Sequence, residues 1–439
     1  MIKEKIDYPY LEKPISLYTL DNGHKIAIAY KKGEMANIST WVKTGSINED
    51  ETNNGVSHFL EHLMFKGTKQ FKPGEFDKIL ERKGGIINAA TWKDYTFYYV
   101  TIEKKHIDLA IKMHADMMVD PTLSEEEIGP AFDPEGEAPE EKRERYVVIE
   151  EIKMGEDNDW RKVYEITNDA MYENHPYKRK VIGTKQIIAT IPQKDIMSYY
   201  KTFYTPDNIS TIVVGEFDNE EEILNKVIEN FKFKTDKKAP IKKNELEIKM
   251  KKPKYVEKTS ETNTGYIMFG FLTDTSKNLK ESIALNLLVS ILGGSRTSRL
   301  NSKYIEQVDE PHYNSIDTCY YQFREGNNFF IEANFDPKYK ETVIEEIKAE
   351  LKNLNEITEE ELKRAKKRVL VEFVESAETV SDIADSIGHY LTVCEDLSYA
   401  KKYETTLENI TKKYLEEIAQ EYLNENNCAI GVVMPKGEN

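Results

Sequence analysis

Gly55-Val56-Ser57-His58-Phe59-Leu60-Glu61-His62-Leu63-Met64-Phe65-Lys66-Gly67-Thr68 sets two histidines and a glutamate among apolar residues. That mixture predicts a helix lying against a core, with one polar face open to a cavity. Residues four apart share a helix face, so His58 and His62 can turn an imidazole nitrogen toward one ion. Catalytic zinc takes imidazole ligands and keeps one position for water. Glu61, beside the pair, can take a proton from that water. The order His-x-x-Glu-His inverts the commoner zinc-protease arrangement. Two histidines at this spacing also suit ordinary core or surface positions. The flanking sequence favours the metal: Thr44-Gly45-Ser46-Ile47-Asn48-Glu49 reads as a strand end entering a polar turn, and Gly67 supplies a helix stop.

Upstream, residues 16–30 predict a hairpin around Asp21-Asn22-Gly23, and 36–44 alternates as a strand. Downstream, 76–82 reads as a second amphipathic helix ending at Gly84-Gly85. Residues 86–92 and 94–102 read as paired strands, and 107–119 as a helix closed by Asp120-Pro121. The segment 129–139, with its prolines, glycines and acids, reads as an inserted surface loop. Helix is expected again from Glu140. There Glu144 and Glu151 lie two turns apart on one face beside Val147, Val148 and Ile152, while Glu141 and Glu150 suit a solvated face. His175, before Pro176, reads as a structural loop residue.

Gly45-Ser46, Glu49 and Gly55-x-Ser57-His58-Phe59-Leu60-Glu61-His62-x-x-Phe65-x-Gly67-Thr68 together resemble the signature of the pitrilysin (insulinase) family of inverted-motif zinc peptidases. The length resembles the branch that contains mitochondrial processing peptidase. The resemblance implies that Glu151 is the third ligand, beside His58 and His62, to one Zn2+ per chain. It implies that Glu144 orients a ligand histidine and that Glu61 is the general base. Gly84-Gly85-Ile86-Ile87-Asn88-Ala89-Ala90-Thr91 is similar to a family segment that forms an exposed sheet edge. Asn88 and Ala89 are thus the expected substrate-binding residues, aligning a peptide as an added strand. Active relatives also place an arginine and, seven residues later, a tyrosine in the second half. Here Tyr313 falls at roughly the tyrosine position and is the expected second catalytic residue, whereas Ile305 or Glu306 stands where the arginine would be. Ser298-Arg299-Leu300 matches a different family motif.

A chain of 439 residues suggests more than one core. Residues 236–254 are rich in lysine, with Pro240 and Pro253, and read as a surface linker. The expected domains are therefore 1–235, catalytic and zinc-binding, and 255–439, similar in fold but without metal. Tyr422-x-x-x-Asn426-Asn427 followed by 428–434 echoes Tyr204 to Gly215, and 283–292 stands where the metal helix stood but carries no His or Glu. The expected class is α+β: two similar domains, each a mainly antiparallel sheet covered by helices, together half of a clamshell.

Net charge of −17 argues against nucleic acid, which needs basic patches, and no apolar run approaches a membrane span. Cys319, Cys394 and Cys428 are odd in number and far apart, which predicts reduced core residues. The first residues lack secretory or import features, so a cytoplasmic location is expected. The expected activity is zinc-dependent endopeptidase action on oligopeptides or unfolded segments. A chain of this length supplies half of the family's closed chamber, which implies a homodimer or a heterodimer with an arginine-bearing family member. The alternative is a non-catalytic or partner-dependent subunit, as in respiratory-complex core proteins. Those typically lose the ligands that this chain keeps. Zinc held for structure alone ordinarily uses four protein ligands, mostly cysteine.

Overall fold

The computed structural model describes residues 1–437. In chain order its strands are β1 (Ile2–Ile6), β2 (Ile15–Thr19), β3 (Lys25–Tyr30), β4 (Met35–Val42), β5 (Ile86–Thr91), β6 (Thr96–Glu103), β7 (Ile209–Gly215), β8 (Lys254–Ser260), β9 (Gly265–Thr273), β10 (Tyr313–Tyr321), β11 (Asn327–Phe335) and β12 (Cys428–Pro435). The helices used below are α1 (Val56–Met64), α2 (Glu75–Glu81), α3 (Ile107–Val119), α4 (Glu144–Glu156), α5 (Asp159–Met171), α6 (Leu279–Leu292) and α7 (Val380–His389).

Two sheets result, with strand orders β1-β2-β3-β7-β4-β6-β5 and β10-β11-β9-β12-β8. Reading the first from β3 gives β3-β7-β4-β6-β5, and the second, reversed, gives β8-β12-β9-β11-β10. The two orders are the same plan. Pairing is antiparallel except at β3–β7 and β8–β12, which are parallel. Those two pairs join strands from opposite ends of each half, so no hairpin connects them. The internal echo falls on equivalent strands: a short 3-10 turn, Pro206–Asn208 or Glu425–Asn427, feeds β7 or β12. The protein is thus α+β, with two similar sheets covered by helices.

The first unit comprises Met1–Ile152, Arg179–Lys243 and Val374–Lys401; the second comprises Lys153–Lys178, Asn244–Phe373 and Lys402–Asn439. The expected 236–254 boundary contains the passage from Lys243 to Asn244, and no helix or strand occurs from 232 to 253. A single cut there does not describe the units, because each also takes a segment from the other half of the chain. α5 packs on β9 and β12, and α7 packs on β4 and β7. Glycines permit both approaches. A Cβ at Gly388 of α7 would meet the Trp41 indole at 2.1 Å, and one at Gly431 of β12 would meet Thr167 Oγ1 at 2.0 Å. Such helix placements carry no local sequence signal.

In the first unit, Val56, Phe59, Leu60, Leu63 and Met64 of α1 join the core with Tyr98, Val100 and Ile102 of β6 and with much of α3. In the second, α6 is buried along almost its whole length and packs with Phe269, Phe271 and Phe329. It begins earlier than expected, so it includes Glu281, whose N–H is capped by Asn278. α4 begins at Glu144, not Glu140. Residues 140–142 are exposed and have no apolar face to bury. Val147 is likewise exposed, while Val148, Ile149 and Ile152 are buried. The three cysteines are free thiols, and burial pushes Cys319 and Cys394 up to about 12.

Candidate metal centre

α1 carries His58, Glu61 and His62 on its less buried face, while its apolar residues are buried in the core. Its first turn is fixed from outside the helix. Gly55, the N-cap, has φ of 97° and no side chain to cap with. A Cβ there would meet the Ile182 carbonyl oxygen at 2.6 Å. Glu49 takes over the capping. Its carboxylate accepts the N–H of Gly55 (2.7 Å), the N–H of Ser57 (2.9 Å), the Asn54 amide (2.8 Å) and the Ser57 hydroxyl. Glu49 is 2% exposed. The resemblance marked Glu49 without assigning it a task, since a cap from outside the helix has no fixed spacing.

α4 brings two carboxylates to the same place. Glu151 Oε2 lies 3.7 Å from His58 Nε2 and 3.5 Å from His62 Nε2. The ligand atoms of His58, His62 and Glu151 all lie within 4.8 Å of one another, and among the described residues no other three His, Cys, Asp or Glu side chains converge in this way. His62 Nδ1 donates to Glu144 Oε2 at 3.3 Å. With a metal bound, that contact would keep the proton on Nδ1 and leave Nε2, on the side of Glu151, to act as the ligand. The other Glu144 oxygen takes Lys66 Nζ at 2.7 Å. Burial raises the Glu144 carboxyl, but His62 and Lys66 outweigh it and hold the pKa below the usual range.

Glu61 accepts the Thr91 hydroxyl at 2.6 Å, so its place is set from the last residue of β5. Burial pushes its pKa up, and the Thr91 bond only partly opposes this. Burial disfavours charge on His62, yet hydrogen bonds to Glu144 and Glu151, helped by the charge of Glu61, raise its pKa to about 9. Three carboxylates thus face two imidazoles, an arrangement that favours a cation. The donor set, two imidazole nitrogens and one carboxylate, fits zinc with a position left for water.

β5 is the open end of the first sheet, paired with β6. Ile87 and Ala89 pack toward the core, and Thr91 shares their face. Asn88 lies on the opposite face, and its Oδ1 accepts the Ala89 N–H at 2.9 Å. The expected edge strand is therefore a real edge, adjacent to α1.

The Tyr313 phenol is enclosed. Tyr313 is 2% exposed, belongs to the second unit's core, and donates to the Val343 carbonyl at 3.4 Å. Burial holds its phenol well above the usual range. A side chain so enclosed presents no hydroxyl to a substrate. Ile305 packs partly against the same core, and Glu306 pairs with Arg296 at 3.0 Å. Arg299 is occupied: it grips Glu361 with two nitrogens and donates to the carbonyls of Asn353 and Glu356. His175 is buried at 3.1 Å from Glu325, in keeping with a structural loop role.

A two-histidine, one-glutamate centre on an inverted motif, carried by two helices of a unit whose sheet order recurs in the second unit, defines a class of metallopeptidase fold. The chain belongs to peptidase family M16, the insulinase family: residues 25–185 match the insulinase family model and residues 190–369 match the model described as the M16 inactive domain. It is 30% identical to zinc protease PqqE of Helicobacter pylori over 442 residues, covering 97% of this chain and 94% of that protein. Over 202 residues it is 30% identical to the mitochondrial-processing peptidase beta subunit of Bos taurus, covering 46% of this chain and 39% of that one. Among solved structures, a protease from Helicobacter pylori superposes with a TM-score of 0.89 at 27% identity, covering 97% of this chain and 100% of that one. The periplasmic protease PqqL of Escherichia coli shares the fold, with a TM-score of 0.77 at 18% identity; 99% of this chain covers 48% of that one.

Proposed function

We propose that this chain is a zinc-dependent metalloendopeptidase acting on oligopeptides or unfolded segments. The observation that carries the reading is the convergence of His58, His62 and Glu151 beside a glutamate tied to an open sheet edge. His58, His62 and Glu151 would hold one zinc. When bound, zinc would polarise the scissile carbonyl and acidify the attacking water. Thr91 holds the Glu61 carboxylate in place, and that carboxylate would take the water's proton. In the metal-free chain, burial favours the protonated form of Glu61. The same carboxyl then returns the proton to the leaving amine, so the peptide bond is exchanged for a carboxylate and an amine. The β5 edge aligns the substrate backbone, with Asn88 and Ala89 at its middle. Glu144, braced by Lys66, keeps His62 in the tautomer that the zinc needs.

The test is Glu61→Gln. The variant is expected to retain one zinc per chain and to lose peptide cleavage by several orders of magnitude. Cleavage at the parent rate would remove Glu61 from the mechanism.

A second reading is favoured by the enclosure of Tyr313 and by the absence of an arginine at 305 or 306. In it, a partner chain of the same family supplies the arginine, and this chain alone is zinc-loaded but slow. Purified chain assayed with and without such a partner separates the two.

A further inference from the structure

We propose that Glu49 is a positioning residue for the metal centre, setting the register of α1 through the helix's first turn. The inference rests on the zinc reading above. Three of the groups assigned to that site, His58, Glu61 and His62, ride on this one helix of nine residues. Glu151 comes from α4 and Thr91 from β5. A shift of α1 therefore moves three groups together against two fixed ones.

What holds α1 in place is unusual for a helix start. The side chain of its own N-cap contributes nothing, since the cap is glycine. The N–H of Val56 goes to the Asn53 carbonyl at 2.9 Å. Those of Gly55 and Ser57 go to separate oxygens of Glu49. The capping carboxylate is itself fixed. Arg179 Nη1 donates to the Glu49 carbonyl at 2.8 Å, and the Asn54 amide that binds Glu49 also donates to the Lys180 carbonyl at 2.9 Å. Gly183, whose N–H goes to the Lys180 carbonyl at 3.2 Å, closes the same seat: a Cβ on it would meet the Asn54 carbonyl oxygen at 2.3 Å. A negative group at the positive end of the helix adds electrostatic support.

Only a carboxylate satisfies this site. Each of its two oxygens accepts two donors. A carboxamide of the same shape would turn an NH2 group against two N–H or O–H donors, so one oxygen's partners would be left facing a donor. Glu49→Gln therefore keeps the volume and removes half of the capping.

The experiment measures zinc affinity by competition with a chromogenic chelator, thermal unfolding of the metal-free chain, and kcat and KM on a peptide. It uses the full chain and its variants Glu49→Gln, Ser57→Ala and the double variant. Glu49→Gln is expected to weaken zinc binding about tenfold or more, the usual scale for residues behind metal ligands. kcat should fall as well, with KM changing by no more than about twofold, because the edge strand is untouched. Ser57→Ala should weaken zinc by a smaller factor, and the double variant no more than Glu49→Gln alone. A lower unfolding temperature with unchanged zinc affinity and kcat would overturn the proposal and leave Glu49 a plain stability residue. Should Glu49→Gln fail to fold, unchanged zinc affinity in Ser57→Ala and Asn54→Ala would overturn it equally. Parent chain that binds zinc but cleaves nothing would remove the peptidase reading, and the Glu49 proposal would still be decided on zinc affinity. Parent chain that binds no zinc would overturn both.

Discussion

At the scale of single residues, the third ligand is the sharpest claim. Glu151 sits between the two imidazoles, so Glu151→Gln is expected to weaken zinc binding strongly, read as chelator competition. Unchanged affinity would remove it from the site. Tyr313 gives the opposite expectation. Its hydroxyl ends on a carbonyl inside the second core, so Tyr313→Phe should leave kcat unchanged and cost about 1 kcal/mol of stability or less. A large fall in kcat would show that the residue leaves its core position during turnover. The first core contains another titratable arrangement. His24 Nε2 and His114 Nε2 each lie 2.9 Å from a threonine hydroxyl, Thr211 and Thr40, which face each other across β7 and β4. Burial lowers both histidines to about 3. The unfolded chain titrates them near 6.5, so between these values it binds more protons than the fold does, and stability falls as pH drops through that window. Denaturant midpoints measured from pH 7 to pH 4 should decline, and His114→Gln should flatten the decline.

At the scale of elements, what the sequence revealed tracks how local each signal is. α1 was legible because four-residue spacing puts two imidazoles on one face, and α3 because apolar periodicity and Asp120-Pro121 bound it. Glu151 was not legible from pattern, since helix periodicity says nothing about which distant helix will face it; the family resemblance supplied it. The parallel pairs β3–β7 and β8–β12 and the enclosure of Tyr313 were also unreadable, because both depend on contacts between segments far apart in the chain. β5 was legible as a strand from its own pattern, and its edge position came from the family resemblance. Its open side yields a prediction of its own. Ala89→Pro removes a backbone donor from the edge strand, so KM for peptides should rise several-fold while bound zinc stays at one per chain. An unchanged KM would mean that substrates do not dock by strand addition.

At the scale of the molecule, this chain covers about half of PqqL, in which 48% of the length suffices to match it. As a homodimer, the protein would show in solution twice the 50.9 kDa of the single chain. A monomeric mass with full peptidase activity would refute that assembly. The placement of α5 and α7 bears on a different matter, the independence of the halves. Each sheet borrows a helix encoded beside the other, so neither half is a self-sufficient folding unit. Polypeptides split at residues 236–243 should therefore be poorly soluble when made alone and recover zinc binding when made together. The two pieces would be held by mutual need where a peptide bond had been. For the same reason, recombination that exchanges one half for that of a distant relative must preserve two helix seats at once, which ties the evolution of the metal-free half to that of the metal-binding one.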